Sequence, residues 1–277
     1  LIFSSLLNIA LDLYFVAELR MGVPGMAWAT LIAQALSAVL SFFFLMRKLR
    51  SIETEEFARF DMELLLTMVK VAIPTIVQQS IVSVGMLLIQ SAVNRFGSTF
   101  LAGYTAATKI DGIAIVPMVA VGNAASTYVA QNMGAKKPER IQMGYRICLV
   151  MAAGIGLLIA IILHFTGESF VGLFLDSDSS MEAISVGASY LSTVSMFYFV
   201  MGSMNVSNGV LRGAADMGWF LSSSVCNLIT RVTLTYALAD VTKGMIIMWA
   251  NPAGWLVGLA IALLRYFQGG WKERSIV

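Results

Sequence analysis

The stretch from Ile147 to Phe165 reads "ICLVMAAGIGLLIAIILHF" and contains no Asp, Glu, Lys or Arg. A helix of about 20 residues crosses the roughly 30 Å of hydrocarbon in a bilayer. Because the run is continuously apolar rather than alternating, it indicates a transmembrane helix and not a strand of a barrel. This stretch therefore predicts a helical membrane protein.

The composition of the whole chain points the same way. The 277 residues are 58% hydrophobic and 12% charged, with a mean hydropathy of +0.81, whereas soluble domains carry about 25% charged residues. The net charge of +2 is too small to indicate a nucleic-acid partner. Cys148 and Cys226 both lie in apolar runs, so no disulfide framework or metal cluster is predicted. Leu1 to Glu18 lack the features of a signal peptide, and we interpret the chain as a fragment.

The apolar runs predict an all-α membrane protein with eight spans. Their approximate bounds are 2–18, 25–46, 71–93, 103–131, 142–164, 182–209, 219–239 and 244–267. The stretch "RKLRSIETEEFARFDMELLLTMVK" between the second and third spans alternates charged and apolar residues, which favours an interfacial amphipathic helix. We therefore divide the chain into two helices at 1–48, a cytoplasmic linker at 49–70 and a six-helix lobe at 71–277.

Loop charges give the orientation, because Lys and Arg are retained on the cytoplasmic side of a membrane. Basic residues cluster after the even-numbered spans, at Arg47, Lys48, Arg50, Arg59, Lys136, Lys137, Arg140, Arg212, Lys272 and Arg274. The opposite loops carry only Arg20, Arg95 and Lys243. All four even-numbered ends are predicted to be cytoplasmic.

A short internal repeat connects the two ends of the chain. "SSLLN" at Ser4 to Asn8 is echoed by "SSVCN" at Ser223 to Asn227, and Trp28-Ala29 by Trp249-Ala250. Spans one and two would then repeat spans seven and eight, as in transporters built from two equivalent lobes. Chance matches in apolar sequence are the alternative.

Four motifs in order resemble those of the multidrug and toxic compound extrusion (MATE) transporters. They are "NIALD" (8–12), "YVAQNMGAKKPERI" (128–141), "FVGLFLDSD" (170–178) and "VLRGAADMGW" (210–219). The resemblance implies a monomer of twelve helices in two lobes around a cavity, exporting organic cations or amphipathic drugs in exchange for H⁺ or Na⁺. The chain would supply the last two helices of the first lobe and the whole second lobe. A bacterial plasma membrane is the expected location.

Asp12 is the first candidate functional residue, because it lies roughly 9 Å inside the first span, too deep to reach water. Asn8 is one helical turn earlier, and Thr30 lies at similar depth in the second span. A carboxylate with an amide and a hydroxyl is a group that binds and releases H⁺ or Na⁺. The resemblance assigns the same three residues to the first-lobe cation site, whereas a purely structural role is the alternative.

A cavity for amphipathic substrates needs adaptable walls and a few polar groups. Candidates are Gln34, Gln78, Gln79, Met86, Tyr198, Met201 and Asn205. Two further membrane-embedded charges, Asp111 and Arg231, lie at similar depth and are predicted to form a structural ion pair. Asp216 is expected to cap the seventh span.

The leading interpretation is cation-coupled antiport by alternating access, with H⁺ or Na⁺ as coupling ion and no other cofactor or metal. A flippase for lipid-linked sugars is the alternative of the same architecture, and it would require a strongly basic cavity. An enzyme is disfavoured, since His164 is the only histidine and no catalytic constellation is present. A passive channel lacks a repeated filter segment.

Overall fold

The computed structural model describes residues 2–50, 60–175 and 180–273, with side chains as far as 271. Its contacts divide the chain into two compact units, Leu1–Asp61 and Met62–Val277. Helices account for all eight predicted spans, and the described residues contain no strand. The predicted all-α membrane fold is confirmed.

The first unit is a helical hairpin. Helix α1 (Ile2–Leu13) continues through a π-helical turn (Tyr14–Glu18) and is followed by α2 (Gly22–Arg50). Gly25, Ala29 and Ala33 recur every four residues on one face of α2 and are buried. A Cβ atom at Gly25 would lie 3.1 Å from Cβ of Phe15, so the small residue lets α2 approach the end of the first span closely.

The described part of the second unit forms eight α-helices. They are α3 (Met62–Val93), α4 (Ser98–Ala114), α5 (Val116–Gly134), α6 (Pro138–Leu173), α7 (Met181–Ser195), α8 (Tyr198–Gly213), α9 (Met217–Leu238) and α10 (Ile246–Gln268). Short 3₁₀ turns follow α3 at Asn94–Phe96 and α10 at Gly270–Glu273. Helix α8 is central, since it contacts α5, α6, α9 and α10.

Two of the predicted spans are broken. The fourth consists of α4 and α5, where Pro117 follows the break at Ile115 because proline favours the first turn of a helix. The sixth consists of α7 and α8, which bend by 52°. By length and composition, five helices among the described residues are able to cross a membrane, or six if this bent pair is one span. The first and seventh predicted spans do not meet the same criteria of length and hydropathy.

The start of the third predicted span differs from the sequence prediction. Helix α3 begins at Met62 rather than at Val71, so the last residues of the predicted linker belong to a transmembrane helix. The centre of the predicted amphipathic helix, at 51–59, lies outside the described residues, as do Asp176, Asp178 and Arg274. Asp216 begins α9, but its side chain caps no helical N–H group.

Large exposed apolar side chains cover the outside of the helices, as expected for surfaces that face lipid. Small residues instead bring α5 and α8 together. A Cβ atom at Gly122 would lie 2.9 Å from the carbonyl oxygen of Asn205, and one at Gly209 would collide with the carbonyl oxygen of Gly122. This close packing holds the polar faces of α5 and α8 side by side.

Candidate functional site

The first unit contains a polar cleft between α1 and α2 with a volume of about 490 Å³. The lining residues are small or polar and lie on facing sides of the two helices: Ser4, Ser5, Asn8, Thr30, Ala33, Gln34, Ser37, Ala38 and Ser41. Their helical spacing places them on one face of each helix. The cleft brings Asn8 and Thr30, predicted for cation coupling, together with Gln34, predicted for substrate contact.

Asn8 and Thr30 are in direct contact, since Nδ2 of Asn8 donates to Oγ1 of Thr30 at 3.4 Å. Asp12, one turn further along α1, is partly buried and does not line the cleft. Its Oδ1 atom is buried and accepts no hydrogen bond from the described residues. A buried carboxylate oxygen without a donor is costly in hydrocarbon, so it requires a proton, a cation or water.

The second unit contains a cavity of about 470 Å³ between α3, α5, α8, α9 and α10. Its polar lining residues are Gln78, Gln79, Asn123, Asn205, Asn208, Arg212, Ser224, Asn227 and Arg231. Apolar and aromatic surface comes from Val82, Ile115, Val119, Met201, Met204, Phe220, Leu228 and Trp255. The mixture of soft apolar walls and convergent amides is typical of a site for organic ligands.

Four of the residues predicted for the substrate cavity line it: Gln78, Gln79, Met201 and Asn205. Two do not. Met86 is 63% exposed on the outside of α3, and Tyr198 is fully buried. Sequence reasoning could not separate them from the others, because it located the helices but not the rotation of each helix about its axis.

From the sequence, Asn205 was predicted to line the cavity, but Arg212 on α8 and the polar face of α9 were not recognised as parts of the same site. Asn205, Asn208 and Arg212 follow the i, i+3, i+7 pattern along α8, and Ser224, Asn227 and Arg231 follow the same pattern along α9. Such a spacing puts three side chains on one helix face. This stripe of polar residues on an otherwise apolar helix is the signal that would have located the cavity.

Arg212 closes one end of the cavity and joins α8 to α5. Its Nη2 donates to Oδ1 of Asn123 at 2.7 Å, and its Nε donates to Oγ of Ser126 at 3.2 Å. The guanidinium also lies 5.9 Å from the ring centroid of Phe220 at the start of α9. The sequence analysis treated Arg212 only as a loop charge.

The predicted ion pair between Asp111 and Arg231 is not a direct contact in the described structure. Oδ1 of Asp111 instead accepts a hydrogen bond from the hydroxyl of Tyr198 at 2.7 Å. Arg231 has no carboxylate within 4.0 Å among the described residues, and its Nε is buried without a partner. The two groups are near enough for a Coulombic interaction. A neutral donor therefore occupies the position that we expected the guanidinium to take.

A direct ion pair occurs elsewhere, at the end of α10. Nε of Arg265 lies 2.6 Å from Oδ2 of Asp216, which is 1% exposed. The Arg265 guanidinium also lies 5.4 Å from the ring centroid of Trp219. This contact places the ends of α8 and α10 on the same side, as the loop charges predict.

Possible metal ligands are scattered. Within residues 2–50, 60–175 and 180–271, no group of three or more His, Cys, Asp or Glu side chains converges.

A polar cavity among helices with apolar outer surfaces defines a multi-pass membrane protein. The family model MatE matches residues 74–237. The chain belongs to the MatE family, which confirms the resemblance found in the four motifs. The members of this family are transporters and not enzymes, as expected.

Two curated relatives match along the chain. The probable multidrug resistance protein YpnP of Bacillus subtilis is 27% identical over 99% of this chain. The probable multidrug resistance protein YoeA of the same organism is 23% identical over 100% of it. The chain spans 61% of the length of each relative.

A solved structure has the same fold. An outward-facing multidrug resistance MATE family transporter of the MOP superfamily superposes with a TM-score of 0.87. It is 22% identical, and the match covers 98% of this chain and 62% of that protein. At this identity the likeness establishes the fold alone.

Proposed function

We propose that the chain is part of a secondary antiporter that exports amphipathic organic compounds by alternating access, with H⁺ or Na⁺ as the coupling ion. The observation that carries the proposal is the 470 Å³ cavity in the second unit, where amides, methionines and aromatic rings share one wall. The names of the relatives, which are multidrug resistance proteins, support export of drugs.

The intact protein would have twelve helices in two lobes and act as a monomer in the plasma membrane of a bacterium. Residues 1–48 would complete the first lobe, and residues 71–277 would form the second. Alternating access would then move the two lobes against each other around the cavity.

Coupling is assigned to Asp12, with Asn8 and Thr30 as neighbours. Support comes from the Asn8 to Thr30 hydrogen bond and from the buried Asp12 oxygen that lacks a donor. Proton binding would supply a hydrogen to this oxygen, and Na⁺ would supply positive charge. Either ligand removes the cost of the unpaired oxygen and so favours one conformation over the other.

The test uses the full-length protein in inverted membrane vesicles, with an imposed H⁺ or Na⁺ gradient and a fluorescent drug. Asp12→Asn should abolish gradient-driven drug transport at normal protein levels, since an amide cannot take up a proton or neutralise Na⁺. Glu18→Gln is the matched control, because Glu18 is exposed at the end of the same span. Unimpaired transport by Asp12→Asn would remove the coupling role, and flux without any gradient would indicate a channel.

A lipid-linked sugar flippase remains the second candidate, because two arginines, Arg212 and Arg231, line the cavity. Phosphate groups of such lipids are recognised by arginine. Transport of soluble drugs by the purified protein in liposomes of defined lipid would favour the antiporter.

A further inference from the structure

The cavity of the second unit is basic. Two of its described lining residues, Arg212 and Arg231, are cationic, and none is an Asp or Glu. The Arg231 guanidinium lies within a transmembrane helix, where water screens it less than at a protein surface, and Arg212 lies in the last turn of α8. A basic lining of this kind does not favour a cationic ligand.

The partners of Arg212 leave its charge uncompensated. It donates to an amide oxygen of Asn123 and to a hydroxyl oxygen of Ser126, and both groups are neutral. No carboxylate lies within 4.0 Å of it among the described residues. These bonds hold the guanidinium in a fixed orientation at one end of the cavity.

Arg231 lies at the other end of the cavity, about 16 Å along α9 from Phe220, beside which Arg212 lies. Gly254 of α10 allows this position, because a Cβ atom there would come within 2.5 Å of Cγ of Arg231. Asp111, the carboxylate predicted to pair with Arg231, accepts a hydrogen bond from Tyr198 instead. One buried N–H of Arg231, on Nε, therefore has no acceptor.

The internal repeat gives this arginine a counterpart in the first unit. The offset of 219 residues that aligns Asn8 with Asn227 also aligns Asp12 with Arg231. Ser5 and Asn8 line the cleft of the first unit, just as Ser224 and Asn227 line the cavity of the second. Equivalent helices thus carry an acid in one unit and a base in the other.

We propose that the cavity of the second unit binds the anionic group of an amphipathic organic anion, with Arg231 as the recognising side chain. The proposal rests on the proposed export function and names the charge of its substrate. A carboxylate, sulfonate or phosphate would accept the unpaired N–H of Arg231, and such charge-assisted bonds are stronger than neutral ones. The apolar part of the ligand would contact Met201, Met204 and Trp255.

Two probes with the same aromatic ring and opposite charge test the proposal: naphthalene-2-sulfonate and the trimethyl-(2-naphthyl)ammonium ion. Binding to the purified full-length protein in a neutral detergent is measured by equilibrium dialysis, and protein-free micelles give the background. The unmodified protein should bind the sulfonate saturably and bind the ammonium ion more weakly. Arg231→Gln should weaken sulfonate binding by about tenfold, the loss of one charge-assisted hydrogen bond. Arg95→Gln, at an exposed arginine outside the cavity, should leave it unchanged.

The comparison on the unmodified protein decides the question even where a variant does not fold. Preferential binding of the ammonium ion, absence of sulfonate binding, or sulfonate binding unaffected by Arg231→Gln would overturn the proposal. Gradient-driven export of a neutral or cationic drug without sulfonate binding would overturn this inference and leave the export function standing. Arginine-dependent sulfonate binding without gradient-driven transport of any probe would support this inference and overturn the export function.

A lipid-linked anion and a soluble organic anion would both present an anionic group to the arginine and an apolar part to the cavity wall. Farnesyl pyrophosphate distinguishes them as a competitor in the same dialysis. Displacement of the sulfonate at lower concentration than inorganic pyrophosphate would indicate a lipid-linked ligand. Equal or weaker displacement would indicate a soluble one.

Discussion

The hydroxyl of Tyr198 donates to Oδ1 of Asp111 at 2.7 Å and so provides the carboxylate with a partner inside the second unit. Tyr198 is fully buried at the start of α8, and Asp111 lies near the end of α4. The bond connects α4 to α8 next to the break between α7 and α8. It is therefore a structural contact at the point where the sixth span bends.

Tyr198→Phe should lower the free energy of unfolding by about 1–3 kcal/mol, because it leaves a buried acceptor without its donor. Thermal unfolding of the full-length protein in detergent measures the effect. Tyr236→Phe is the control, since its hydroxyl donates to the carbonyl oxygen of Leu88 at an exposed position. Identical melting temperatures for Tyr198→Phe and the unmodified protein would contradict the assigned role.

Gly209→Ala should separate α5 from α8 and destabilise the protein, because its Cβ atom would collide with the carbonyl oxygen of Gly122. Gly154→Ala is the matched control in α6, where a Cβ atom meets nothing within 4 Å. There alanine should be neutral or stabilise by up to about 1 kcal/mol through its higher helix propensity. Both effects appear in thermal unfolding. Equal destabilisation by the two variants would show that backbone proximity is not the cause.

Arg265→Ala should destabilise the protein by about 3–5 kcal/mol, since it takes the cationic partner from a buried carboxylate, Asp216. Arg95→Ala removes the cation of an exposed pair with Asp240 at 4.0 Å and should cost less than about 1 kcal/mol. Chemical unfolding of both variants beside the unmodified protein gives the comparison. A smaller effect at Arg265 than at Arg95 would be incompatible with the described burial.

Cysteine labelling tests whether the cavity is open to water. In a Cys148→Ala and Cys226→Ala background, Asn205→Cys should react with a charged methanethiosulfonate reagent, because Asn205 lines the cavity. Leu191→Cys should not, because Leu191 is 0% exposed in the core. Mass spectrometry of the purified protein measures the modification. Labelling at Leu191 but not at Asn205 would place the water-filled space elsewhere.

The apolar runs and the loop charges determined the helices and which ends share a side. Continuous hydrophobicity over the width of a bilayer admits only a helix, so the spans that are long and apolar enough to cross a membrane follow from local sequence. The ends of α8 and α10 meet through Asp216 and Arg265, in agreement with the loop charges. Four motifs were enough to indicate the family.

Only the tertiary structure decided the rotation of each helix and the partner of each buried charge. Hydrophobicity does not distinguish an exposed methionine such as Met86 from a cavity methionine such as Met201, because the two side chains are equally apolar. Depth in the membrane was the sole basis for predicting a pair between Asp111 and Arg231. The packing of α4 against α7 and α8 instead places the Tyr198 hydroxyl at the Asp111 carboxylate. The charge of the cavity followed from those rotations, since they brought Arg212 and Arg231 to the same space.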